Sequence, residues 1–251
     1  MFKVPDTNLT AHRITHSLIR AFELVWAMEI EGVKIEYTGH DGFIINNGGG
    51  KRLAIDPYNV SQSIEKVDYI LITHSHYDHC SIKDITQLAK QGTVIVVPAD
   101  AQSKITKIEG VEMQIIEVGD EINFGKIKIE VMPAYNVGKD FHSKAEGWVG
   151  YVIKVGNVII YHAGDTDKIP EMQKLTGYGK HGNQFIALLP VSGTYVMTAE
   201  EAADIASLLS PHIAIPMHYG AGVVGTIEDA QRFVKLCEIA GLKAQILNKL
   251  D

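Results

Sequence analysis

The sequence predicts a layered α/β fold in which two β-rich halves are each flanked by helices. Three observations predict it. Short apolar runs rich in β-branched residues recur from Val33 onward, punctuated by Gly, Asn and Asp turn signals. Between them lie stretches whose apolar residues fall at helical spacing, introduced by capping residues such as Ser81 and Thr198. The chain has 251 residues, 46% hydrophobic and 21% charged, which suits one sizeable core in a globular domain.

Residues 1–30 stand apart from this pattern. Ile14, Leu18, Phe22 and Val25-Trp26 fall at helical spacing, so an N-terminal helical extension is expected there, packed on the domain or on a neighbouring copy of the chain. Its basic residues are too few for a membrane-surface helix. The remaining residues, 31–251, are expected to form the domain proper.

Within the domain, Val33–Thr38, Gly42–Asn46 and Arg52–Asp56 read as an opening meander, with Asn46-Asn47-Gly48-Gly49-Gly50 as a turn. Val67–Thr73 reads as a strand feeding a histidine-rich loop. A helix follows over Ile82–Gln91 with Ser81 as its N-cap, and Thr93–Pro98 is a strongly β-branched strand. Strand pairs come next, near Glu112–Val118 and Lys126–Met132, then near Trp148–Val155 and Asn157–His162. The last third alternates strand Phe185–Leu189, helix Thr198–Leu209, strand His212–Pro216, helix Thr226–Ala240 and strand Ala244–Leu247. Thr198 with Glu201 three residues on makes a capping box.

The loop after Val67–Thr73 carries Ile72-Thr73-His74-Ser75-His76-Tyr77-Asp78-His79, a dense cluster in a chain with 11 His in all. His74 and His76, two residues apart in extended or tightly turning backbone, can grip one metal ion. Asp78 and His79 come where the chain turns into a helix and can reach a second ion beside the first. Neutral imidazole and ionised carboxylate are ligands that zinc and similar divalent ions use.

This HxHxDH string resembles the signature of the metallo-β-lactamase superfamily of metal-dependent hydrolases, and further signatures follow in family order. Ala163-Gly164-Asp165-Thr166 is similar to the family's Gly-Asp on a later strand, and Ile215-Pro216-Met217-His218-Tyr219-Gly220 to its final histidine. Tyr37-Thr38-Gly39-His40-Asp41 and Asp56-Pro57 resemble the branch that includes ascorbate-6-phosphate lactonase-like and uncharacterised hydrolases. The match runs from about Val33 to near the C-terminus. It implies a four-layer αββα sandwich, the metallo-β-lactamase fold, with metals at one edge between the sheets.

The resemblance also implies a ligand set: His74 and His76 on a first ion, Asp78, His79 and His218 on a second, and Asp165 between them. The first ion needs one more ligand. Asn136 stands about where family members often carry histidine, and His142 follows six residues later. An amide oxygen is a weak zinc ligand, so His142 is preferred. Without it, a mononuclear site or a harder ion such as Mn2+ replaces the expected pair of Zn2+ ions.

Asp78 and His40 are the expected catalytic residues. His40 belongs in the substrate pocket or beside the metals, the alternative being a core histidine with its hydrogen bonds satisfied. Asp56 suits a partner that fixes the tautomer of a ligand imidazole. His162 reads as a buried packing residue near the site, and Cys80 as a small residue opening the next helix rather than a thiolate ligand. Tyr135–Gly147 reads either as a substrate-facing flap or as an ordinary surface connection, with Val191–Met197 as the opposite wall.

The implied activity is hydrolysis of a small-molecule ester, lactone or phosphoester by a metal-bound hydroxide. The alternatives are a nuclease or phosphodiesterase of the same superfamily and a non-catalytic metal-binding interaction protein. A net charge of −7, with arginine confined to Arg13, Arg20, Arg52 and Arg232, argues against nucleic acid as a partner. A flavodiiron-type role is disfavoured, since His76 stands where such proteins carry Glu. Cys80 and Cys237 suggest no disulfide framework, so a reducing cytoplasm is expected. The sequence offers no secretory h-region and no apolar run of about 18 residues that would span a bilayer.

Overall fold

The computed structural model describes residues 25–251. Strands β1 (Ala27–Ile30), β2 (Val33–Gly39), β3 (Gly42–Asn46), β4 (Arg52–Ile55), β5 (Tyr69–Leu71), β6 (Thr93–Pro98) and β7 (Val111–Ile116) form one seven-stranded sheet in chain order. Its first pairs are antiparallel, and from β4 onward the strands run parallel. Strands β8 (Glu121–Phe124), β9 (Ile127–Pro133), β10 (Val149–Val155), β11 (Val158–His162), β12 (Gln184–Pro190) and β13 (Ile213–Met217) form a six-stranded sheet. Here β8 to β11 pair antiparallel, and β11, β12 and β13 run parallel.

Alternation along the strands decides which face each side chain takes. In the first sheet Phe43, Ile45, Leu53, Ile55, Leu71 and Val96 join the main core with Val131, Tyr151, Ile153 and Ile160 of the second sheet. The residues between them, Ile44, Ala54, Ile70 and Ile95, pack on the other face with Ile85 and Leu88 of helix α1 (Ile82–Leu88) and Ile105 of α2 (Gln102–Ile105). Full burial of Ile85 or Leu88 contributes roughly 1.5–3 kcal/mol each, so tertiary packing rather than helix propensity holds this seven-residue helix. Helices α3 (Ala199–Leu209) and α4 (Ile227–Ile239) cover the second sheet through Ile205, Leu209, Phe233 and Cys237. The order is therefore helix, sheet, sheet, helix.

Caps set the helix starts. The Ser81 hydroxyl accepts from the Asp84 amide, and the Thr198–Glu201 capping box is formed in full. α1 ends three residues earlier than its apolar pattern suggests, because Ala89 turns to extended backbone.

Two expectations are corrected. The N-terminal helix is placed on residues that mostly lie outside the described ones, but Ala27–Ile30 form a strand paired with β2 and Met28 is buried in the core. Those residues belong to the sheet, not to a helical extension. Ala244–Leu247 forms no strand beyond one bridge, Ala214 to Ala244. The chain instead crosses to the first sheet, where the Asn248 amide donates to Val25 and the Leu250 amide to Tyr37. Among the described residues no helix is long and apolar enough to cross a membrane.

Candidate metal centre

The parallel strands of both sheets end at one edge of the sandwich, and the expected residues follow those ends. Asp56 follows β4, the His74–His79 loop follows β5, Asp165 follows β11, Ser192 follows β12 and His218 follows β13. A crevice beyond the carboxyl ends of parallel strands is where α/β sheets commonly bind ligands. The sheets are tied together there: the Val149 amide donates to Thr73 and the Tyr151 hydroxyl to the Ile72 carbonyl.

All seven expected ligands meet in this place. Ligand atoms of His74, His76 and His142 lie within 4.8 Å of one another, and so do those of Asp78, His79 and His218 with His40. Asp165 lies between the groups. Its carboxylate is 3.2 Å from His218 Nε2, 3.4 Å from His79 Nε2, 3.5 Å from His142 Nε2 and 3.9 Å from His74 Nε2. His142, not Asn136, joins the histidines, while the Asn136 side-chain amide donates to Tyr195 and its backbone amide to His142.

Hydrogen bonding at Nδ1 orients the rings of His74, His79 and His218. Asp56 accepts from the Thr73 amide and hydroxyl and from His79 Nδ1, 2.8 Å away. The Thr73 hydroxyl has spent its one proton on Asp56, so it accepts from His74 Nδ1 at 3.0 Å. One buried carboxylate thereby sets the tautomers of both His74 and His79 and leaves both Nε2 atoms as lone pairs. Those Nε2 atoms are buried without a hydrogen-bond partner, as are Asp165 Oδ1 and His142 Nδ1. Buried polar atoms are rarely left so, and a cluster of orphaned lone pairs converging on common points fits a bound cation. On the far side, Ser192 Oγ sits 2.7 Å from His218 Nδ1.

Electrostatics agree with this geometry. Burial disfavours ionisation of Asp78, but the His40 hydrogen bond and the nearby His79 outweigh it and hold Asp78 at about 2. Ionised Asp78 then accepts from His40 Nε2 at 3.0 Å, which leaves His40 Nδ1 as a buried lone pair. Burial holds His40 itself down at about 4 and keeps His74 and His142 low as well, so these rings are neutral. For His79, burial is overcome by the carboxylates of Asp165 and Asp56, which raise it well above the ordinary value, so without a cation its Nε2 carries a proton beside Asp165 that a bound ion would replace.

Four of these residues, His40, Asp56, His142 and His218, have left-handed backbone, with φ of 56°, 39°, 57° and 63°. Non-glycine residues seldom adopt it, and its concentration here indicates strain held by the surrounding hydrogen bonds. The His218 amide and the Tyr37 hydroxyl both donate to the His40 carbonyl. Trp148, anchored by its indole N–H to Asp100, packs against His74, His76 and His142 with ring centroids 4.6, 4.7 and 5.2 Å away.

Asp41 is a member of the cluster that no spacing in the sequence singles out. It is fully buried with neither oxygen hydrogen-bonded, and it groups with His79, Asp165 and His218. Burial and the nearby Asp165 push its carboxyl well above the usual range. Its adjacency to His40 is the one trace in the sequence. His162 is a buried packing residue whose Nε2 contacts the Asp41 carbonyl at 2.8 Å, and burial pushes the Cys80 thiol up to about 11. The stretch Tyr135–Gly147 is fastened to its opposite wall: Lys139 Nζ reaches Asp167 and the carbonyls of Gly193 and Val196.

Comparison with known proteins places the chain among relatives. A family model described as a beta-lactamase superfamily domain matches residues 34–218. A UPF0173 metal-dependent hydrolase of Nanoarchaeum equitans is 35% identical over 223 residues, which is 86% of this chain and 97% of that one. Among solved structures, a Parabacteroides distasonis protein assigned to the metal-dependent hydrolases superposes with a TM-score of 0.74 at 28% identity, over 88% of this chain and 98% of that one. Igni18, a metallo hydrolase of Ignicoccus hospitalis, superposes at 0.67 with 25% identity, over 87% and 96% of the two chains.

Proposed function

Because the chain belongs to the metallo-β-lactamase superfamily of metal-dependent hydrolases, we propose that it hydrolyses a small-molecule ester, lactone or phosphoester at two divalent ions. The observation that carries this reading is the pair of ligand groups joined by Asp165, with orphaned buried lone pairs in both. His74, His76 and His142 would hold one ion, and Asp78, His79 and His218 the other, with Asp165 reaching both. Zinc is the proposed metal, since imidazole with carboxylate suits it, and Mn2+ is the alternative. When bound, such ions supply Lewis acidity toward a carbonyl or phosphoryl oxygen and lower the pKa of water toward neutrality.

The chain's own residues supply order and polarity. Asp56 holds the rings of His74 and His79 in the tautomer that presents Nε2. The His40–Asp78 hydrogen bond orients the Asp78 carboxylate, and the lone pair left on His40 Nδ1 is an acceptor within the site. Neutral histidines kept low by burial offer lone pairs without first losing a proton. We take the cytoplasm as the compartment, consistent with the unpaired Cys80 and Cys237, and residues 31–251 together with β1 as the hydrolase domain.

The test is hydrolysis of ester, lactone and phosphodiester panels by stripped and metal-reloaded protein. Activity should return with about two equivalents of Zn2+ and be lost in Asp165→Asn. Identical turnover by stripped protein, reloaded protein and Asp165→Asn would reject the reading.

A further inference from the structure

We infer that the substrate carries a planar apolar group, held at the mouth of the site by an aromatic collar formed by Tyr58, Tyr77, Phe141 and Tyr195. The inference deepens the proposed function and rests on it for the word substrate, though not for the binding itself. Among the expected ligands His76 is the exposed one while the others are buried, so access to the centre lies on its side. The residues beside that opening are aromatic. Tyr77 follows His76 and is 63% exposed, and Phe141 precedes His142 and is 52% exposed. Large apolar surface left in water at such a point lacks any packing role in the fold.

Each exposed ring is braced by a second one. Tyr77 meets Tyr58 edge-on, centroids 5.9 Å apart, and Tyr58 in turn packs on His40 at 5.9 Å. Phe141 meets Tyr195 edge-on at 4.9 Å. The two pairs come from opposite walls but flank neighbouring rings: His76, beside Tyr77, and His142, beside Phe141, have centroids 5.3 Å apart. A groove of about 400 Å3 beside Tyr77 is lined by Tyr58, Tyr77 and Ile82 together with Lys104 and Lys107.

The backbone beneath the collar is fixed, which suits recognition by shape. Asn136 bonds to the Tyr195 carbonyl, and Lys139 clamps the Phe141 loop to Gly193 and Val196. Of the cations nearby, Lys139 pairs with Asp167 and Lys144 with Glu171, Lys104 donates to the Ser75 carbonyl, and Lys107 lies on the outer groove away from the collar rings of Phe141 and Tyr195. Offset and edge-to-face aromatic contacts add to what buried area alone contributes, which favours a flat ring over a puckered one of equal size.

The test uses metal-loaded protein and two pairs of probes. Saturation-transfer NMR compares 2-phenylethanol with 2-cyclohexylethanol, and kcat/KM compares methyl phenylacetate with methyl cyclohexylacetate. Wild-type protein should favour the aromatic member about tenfold in kcat/KM and several-fold in transfer. Phe141→Leu, which keeps apolar bulk, and Tyr77→Ala should cut both preferences to twofold or less with metal content unchanged, whereas Tyr77→Phe should retain them. Equal transfer to both alcohols by wild-type protein would overturn the inference. Discrimination between the alcohols without cleavage of either ester would leave the collar standing and count against the proposed ester chemistry alone.

Discussion

At the scale of single residues, Asp56 has the widest reach of any group that is not itself an expected ligand. It takes the Thr73 hydroxyl proton and the His79 ring proton, and through Thr73 it also orients His74. Partners of ligand histidines typically govern metal affinity by 10–100-fold. Asp56→Asn is therefore expected to weaken the binding of both ions by about that factor, measured by competition with a chromophoric chelator. His76→Ala should instead release the first ion and spare the second, which the same titration resolves. The histidine loop, Asp165, His218 and Asp56 are legible in the sequence because each sits in a short motif at a strand end. His142 is legible only as one of two candidates, and the fold decides it by turning the chain so that the Asn136 side chain faces Tyr195. Asp41 and Trp148 carry no such signal, because their roles arise from burial and from contacts between distant segments.

At the scale of elements, the site depends on strand ends meeting across two sheets. Gly164, just before Asp165, has φ +64°, and an added Cβ would lie 2.7 Å from the Val149 carbonyl. Gly164→Ala is expected to cost roughly 1–3 kcal/mol, seen as a fall in Tm of several degrees, with weaker metal binding as Asp165 shifts. Strands and capped helices were legible from alternation and from Ser81 and Thr198. The four-residue strands β1 and β8 were not, because Glu121-Ile122-Asn123-Phe124 is too short to display a period. The Ala244–Leu247 strand fails for a different reason. Leu247 is buried and Ala244 and Ile246 partly so, but hydrogen bonds to Val25 and Tyr37 draw the chain across to the other sheet.

For the whole molecule, stability and metal content are linked. An ion held at 100 times its Kd adds about 2.7 kcal/mol, so chelation should lower Tm by roughly 5–10 °C, read by calorimetry before and after reloading. The stripped protein should also be acid-sensitive. Burial holds His40 at about 4 and keeps His74 and His142 below the ordinary value of 6.5. Below 6.5 the unfolded chain binds protons that these folded rings refuse, so stability falls as pH drops from 6.5 toward 4. His79 runs the opposite way: its contribution is full below 6.5 and is lost only as pH rises through its elevated folded value. It is thus constant across the acid window, whereas Asp41, raised in the fold, gains as pH falls toward its unfolded value; against the three histidines it is one group, so Tm of the stripped protein should still decrease from pH 6.5 to 4.5. Reloaded protein should hold its Tm further into acid, until protons compete for the ligands.

The most direct measurement is a crystal structure of zinc-loaded protein with anomalous scattering at the metal edge. Two peaks are predicted, one at about 2.0–2.1 Å from nitrogens of His74, His76 and His142 and one at similar distances from His79 and His218, with Asp78 on the second and Asp165 between them. A zinc-loaded crystal with no peak inside this cluster, or with one ion held by other residues, would contradict the account.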